Sequence, residues 1–78
     1  MLKTEYKFIR FEKSSIDLNW ECWNKKGVML GVCIWWPQWK EFEFLPESYM
    51  AFTVECLRDI ADFVEQLNQE QKKQGKKP

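Results

Sequence analysis

Three kinds of side chain in this sequence could do chemistry: thiols, helically spaced carboxylates and indoles. Cys22, Cys33 and Cys56 could ligate a soft metal or pair by oxidation. They are odd in number and widely spaced, no C-x-x-C is present, and the chain has no histidine, so neither a metal site nor a disulfide framework is expected. They read instead as small buried hydrophobes. Asp59, Asp62 and Glu65 lie at i, i+3 and i+6, a spacing that could hold a hard cation but more simply marks the wet side of an amphipathic helix. With no serine or cysteine beside a base, the chain reads as non-enzymatic and without a cofactor. The indoles remain: Trp20, Trp23, Trp35, Trp36 and Trp39 crowd one short stretch. An indole is large and its N–H wants a partner when buried. A chain of 78 residues has little interior to hide five of them. Tryptophan is also a favoured anchor at interfaces.

The elements that carry these rings follow from period and turn chemistry. Residues 3–12 hold Tyr6, Phe8, Ile9 and Phe11 and read as a strand with a phase slip between Phe8 and Ile9. Lys13, Ser14 and Ser15 make a turn. Residues 16–24 alternate, with Ile16, Leu18, Trp20 and Cys22 on one side and Asp17, Asn19, Glu21 and Trp23 on the other. A hairpin turn at 24–27 uses Gly27 for a positive φ. Residues 28–36 are apolar on both faces, as in a central strand, and Pro37 ends them. Residues 39–45 alternate Phe42 and Phe44 with Glu41 and Glu43, and Pro46 closes that strand.

From Val54 the period becomes helical. Thr53 is the expected N-cap and Glu55 suits the first turn. Val54, Leu57, Ile60, Ala61, Val64 and Leu67 form the expected apolar stripe, flanked by Cys56 and Phe63. The expectation is one α+β domain over residues 1–71, a four-stranded antiparallel meander with one helix packed on one face (β-β-β-β-α), followed by a flexible basic tail at 72–78.

One helix covers one side of such a sheet. The expected covered set is Leu18, Trp20, Cys22, Leu30, Val32, Ile34, Phe42 and Phe44. The opposite side then carries Trp23, Met29, Cys33, Trp35 and Trp39, interleaved with Asn19, Glu21, Lys25, Glu41 and Glu43. Trp23, Trp35, Trp39, Met29, Glu21 and Glu41 are therefore the candidate partner-binding residues, since an aromatic patch of this kind is rarely left uncovered without a use.

Charge narrows the partner. Net charge is zero, but residues 69–78 carry +3 and the rest of the chain −3. A mildly acidic body opposes polyanions. A protein partner or homo-oligomer is expected ahead of nucleic acid, which the sheet aromatics and lysines keep as the alternative. No apolar run approaches the roughly 20 residues of a membrane span. The aromatic, charged start of the chain is unlike a signal peptide, which implies a cytoplasmic protein with no membrane partner.

Read in order, Trp20-Glu21-Cys22, Leu30-Gly31, Trp35 or Trp36 with Trp39-Lys40, Phe42-Glu43-Phe44 with Pro46, and Cys56-Leu57-Arg58-Asp59-Ile60-Ala61-Asp62-Phe63 make residues 20–68 resemble a group of small uncharacterised proteins of tailed phages and prophages. The segment before Trp20 is longer and more aromatic here, and Glu43 makes its strand more acidic. The resemblance implies a phage or prophage origin and action inside a bacterial host cell, by analogy through binding of host or phage factors. It implies no active site and carries over no functional residue.

Overall fold

Alternation and turn chemistry resolve into four strands and a helix in the computed structural model, which describes residues 2–74. The elements are β1 (Ile9–Lys13), β2 (Trp20–Asn24), β3 (Met29–Trp36), β4 (Glu41–Pro46) and α1 (Val54–Gln74). The strands form one open antiparallel sheet in the order β1-β2-β3-β4, with α1 on one face. This is the expected β-β-β-β-α meander. The helix runs three residues past Gln71, so Lys72 and Lys73 belong to its last turn. The remainder of the expected tail, 75–78, lies outside the described residues. Among the described residues no helix is long and apolar enough to cross a membrane.

Local chemistry sets the turns. Asn24 Oδ1 accepts the N–H groups of Lys26 and Val28 at 2.9 Å each, and Gly27 takes φ 89°. Pro37 stops β3. The Trp36 carbonyl then accepts from Trp39 N–H at 3.2 Å and Lys40 N–H at 2.8 Å, with Lys40 held at φ 54°. Thr53 caps α1 through its Oγ1, which accepts Cys56 N–H at 3.1 Å.

Two expected strands are shorter than their alternation suggested. Residues 14–19 form a loop because their polar side chains bond the nearby backbone. Ser14 Oγ accepts Ile16 N–H at 3.2 Å, and Asp17 Oδ1 accepts Asn19 N–H at 2.9 Å. Leu18, expected in the covered set, is consequently 68% exposed. The phase slip at Phe8 is a tight turn. Tyr6 N–H donates to the Ile9 carbonyl and Phe11 N–H to the Thr4 carbonyl, both at 2.9 Å, so residues 4–6 double back along the outer edge of β1.

The core lies between α1 and one sheet face. Phe63 of α1 stacks on Phe11 of β1 (centroids 4.0 Å apart, 11° between planes) and meets Trp20 of β2 edge-on at 5.3 Å. Ile9, Cys22, Leu30, Cys33, Ile60 and Leu67 complete the buried set with Tyr6. The helix positions that face the sheet run Cys56, Ile60, Phe63, Leu67, a 4-3-4 spacing, with Cys56 half-buried and the other three buried. This corrects the expected stripe. Val54, Leu57 and Ala61 are exposed, because Phe63 turns the helix's broadest apolar side chain toward the sheet and rotates those positions outward.

The N-terminal segment is tied to the helix by polar contacts. Lys3 N–H donates to Gln66 Oε1 at 2.8 Å, and Gln66 Nε2 donates to the Lys3 carbonyl at 3.1 Å. Tyr6 O–H donates to Asp62 Oδ2 at 2.7 Å. Burial first, and then this carboxylate, raise the Tyr6 phenol above its ordinary value.

Candidate functional site

Cross-strand register assigns each side chain to a face, since directly opposed residues share one. Trp20 opposes Cys33, Cys33 opposes Phe44, and Trp35 opposes Phe42. All of these lie on the helix side. Glu12 opposes Glu21, Glu21 opposes Val32, and Val32 opposes Leu45, while Ile34 opposes Glu43 and Trp36 opposes Glu41. These lie on the side away from α1, with Arg10 and Trp23.

The register also explains where expectation failed. Between β2 and β3, Cys22 pairs with Gly31 but Trp23 pairs with Met29, so Leu30 is an extra residue in β3. This β-bulge brings Leu30 to the core beside Gly31 and inverts the phase of the strand after it. Met29 keeps its expected place on the uncovered face. Beyond the bulge Val32 and Ile34 join it, whereas Cys33 and Trp35 turn toward the helix. Trp35 therefore leaves the candidate set: its ring meets Phe42 edge-on at 5.4 Å. Gly31 marks the irregularity, because a Cβ there would sit 2.5 Å from Phe44 Cζ and 2.6 Å from the Leu45 carbonyl oxygen. A glycine inside an apolar strand was the available signal.

Among the described residues no element packs over the face opposite α1. Along it run Trp23, Met29, Val32, Ile34 and Trp36, with Leu45 beside Val32 on β4. Trp36 is 39% and Leu45 55% exposed. Trp39, 64% exposed, closes the row from the β3–β4 turn, its ring 6.4 Å from that of Trp36. Of the expected candidates, Trp23, Met29, Glu21 and Glu41 lie on this face and Trp39 at its end. Val32, Ile34, Trp36 and Leu45 were missed.

Polar contacts on this face are uneven. Trp23 Nε1–H donates to Glu21 Oε1 at 3.1 Å, and the Arg10 guanidinium lies 5.7 Å from the Trp23 ring centre. Arg10 is also paired with Glu12 at 2.7 Å. Among the described residues, Glu21, Glu41 and Glu43 have no cationic partner. Desolvation against the sheet, then the neighbouring Glu41, raise the Glu43 carboxyl above its ordinary value.

The strand edges are less open than the face. Residues 4–6 lie along β1. On β4, Asn68 of α1 acts as a surrogate strand: its Oδ1 accepts Phe42 N–H at 2.6 Å and its Nδ2 donates to the Phe42 carbonyl at 3.4 Å. The other outward positions of that edge are Phe44 and Pro46, and proline has no N–H to offer.

Burial pushes Cys22 and Cys33 up to about 12, so both thiols stay protonated and poorly nucleophilic near neutral pH. Among the described residues no group of three His, Cys, Asp or Glu side chains is placed to hold a metal ion. On the helix side, a cleft of about 580 Å³ opens between Trp20, Trp35, Phe42 and Leu67, with Lys13 and Glu70 at its rim. Comparison with protein-family models, with curated proteins and with solved structures found no match.

Proposed function

We propose that this chain is a non-catalytic binding protein that engages a protein through the sheet face away from α1. The observation that carries the reading is the row of Trp23, Met29, Val32, Ile34, Trp36 and Leu45 with no element of the chain over it among the described residues. Burying a large apolar side chain gains roughly 1.5–3 kcal/mol, so a partner covering this row has a substantial driving force. A phage or prophage accessory role in the bacterial cytoplasm, implied by the order of the sequence motifs, is part of the same proposal. Nucleic acid is the second reading, favoured by the exposed rings of Trp36 and Trp39 and opposed by the carboxylates beside them.

The test is Trp36→Ala. Its ring is partly exposed, so the variant keeps the parent's circular dichroism and melting behaviour. It loses at least about tenfold in affinity for a protein recovered from host extract or, if the partner is a second copy, in dimerisation followed by light scattering. Unchanged association of the Trp36→Ala and Ile34→Asp variants would remove the face from consideration. Retention on single-stranded DNA that collapses with rising salt would move the assignment to the second reading.

A further inference from the structure

The uncovered face holds a depression of about 300 Å³, walled by Ile34, Trp36, Trp39, Glu43 and Leu45. Its shape and its charge point to different parts of a single side chain. Ile34 and Leu45 offer an aliphatic wall long enough for a methylene stem. Trp36 and Trp39 are tilted 58° to each other and partly exposed, and they present indole surface to whatever enters. Glu43 stands directly across from Ile34, and Glu41 directly across from Trp36. Both carboxylates lack a cationic partner among the described residues. An apolar stem ending in a cation satisfies all three features: the stem lies on aliphatic surface, the cation meets indole quadrupoles, and the Glu43 carboxylate in the wall supplies opposite charge, with Glu41 two residues away on the same strand. Leucine or phenylalanine in the same place would desolvate Glu43 with no compensation.

Resting on the face assignment above, we propose that this depression receives an arginine or lysine side chain from a protein partner, and that the partner is a basic amphipathic segment rather than a second copy of this chain. Charge separates the two. The strands place Glu12, Glu21, Glu41 and Glu43 on this face against Arg10 alone. Two such faces laid together would bring carboxylates against carboxylates and offer only arginines already paired with Glu12. Strand addition is also hindered, because residues 4–6 lie along the β1 edge and Asn68 occupies the Phe42 position of the β4 edge. Arginine fits better than lysine, since its planar guanidinium can stack on an indole while donating in its plane to a carboxylate.

The experiment is a tryptophan-fluorescence titration with a synthetic helical peptide that carries a leucine stripe flanked by arginines. Three counterparts have the arginines replaced by lysine, glutamine or glutamate. The arginine peptide binds most tightly and the lysine peptide next. The glutamine peptide is weaker by about tenfold, and raising salt from low to physiological strength narrows that gap. Glu43→Gln and Trp36→Ala each remove most of the arginine preference, while Leu57→Ala, on the exposed side of α1, changes nothing. Equal binding of the arginine and glutamine peptides would overturn this proposal and leave the face assignment standing. Binding of neither peptide, or preference for the glutamate peptide, would also overturn it. Concentration-dependent dimerisation abolished by Trp36→Ala would replace the basic segment with a second copy.

Discussion

Three elements meet on Phe63. Its ring stacks on Phe11 from β1 and abuts Trp20 from β2, and it is 0% exposed. Phe63→Ala is expected to lower stability by about 3–5 kcal/mol, a large share of the roughly 5–15 kcal/mol that holds a domain together. Leu57→Ala is expected to stay within about 1 kcal/mol of the parent, because Leu57 is 49% exposed. Urea denaturation of the pair decides the matter; a Leu57 variant as damaged as the Phe63 variant would mean that the helix is rotated from the orientation described. Spacing alone did not separate the two, since Leu57, Ile60, Val64 and Leu67 fall on a helical stripe about as well as Cys56, Ile60, Phe63 and Leu67. What decides is size: the sheet offers Phe11 and Trp20 as flat partners, and only a ring fills the space between them.

The order of elements was readable because each boundary rests on local chemistry: Asn24 and Gly27 at one turn, Pro37 at another, Thr53 at the helix start. The faces of β3 were not, because the strand is apolar on both sides and alternation carries no sign when both sets are greasy. A single inserted residue, Leu30, then exchanged Trp35 for Trp36 on the uncovered face. The β4 edge could not be foreseen from the sequence at all, because its protection comes from a helix 26 positions away. Phe42 is capped on both its N–H and its carbonyl by Asn68. Asn68→Ala should cost about 1 kcal/mol, since water replaces the amide at an edge. Its larger effect should be on association, because the vacated strand can pair with a neighbour. Light scattering across a concentration series is the measurement: the variant should gain a larger species that the parent lacks, and a variant as monodisperse as the parent would show that Pro46 and the short length of β4 already suffice.

Taken as a whole, the molecule is two-sided. One sheet face is covered by α1 with aromatic rings and protonated thiols, and the other is left apolar, with Glu21, Glu41 and Glu43 lacking a cationic partner among the described residues. That division was readable from the tally of tryptophans against one amphipathic helix, although the individual rings on each side were not. It also gives stability a pH dependence set by the covered side. Cys22 and Cys33 hold their protons up to about 12 in the folded chain, because burial disfavours the thiolate. In the unfolded chain a thiol ionises near about 8.5. Between those values the folded state binds more protons, so the thiols' contribution is fully present below about 8.5 and is lost as pH rises toward 12, each thiol removing up to about 1.4 kcal/mol per pH unit. Tyr6, whose phenol is raised by burial and by Asp62, adds a loss of the same sign at higher pH. Urea midpoints should therefore stay level from pH 7 to 8 and fall steadily from 9 upward. Cys33→Ala should be less stable at pH 7 for want of packing yet show a shallower alkaline decline. An equal slope in the two proteins would mean that Cys33 is open to solvent, and with it the seal between α1 and the sheet.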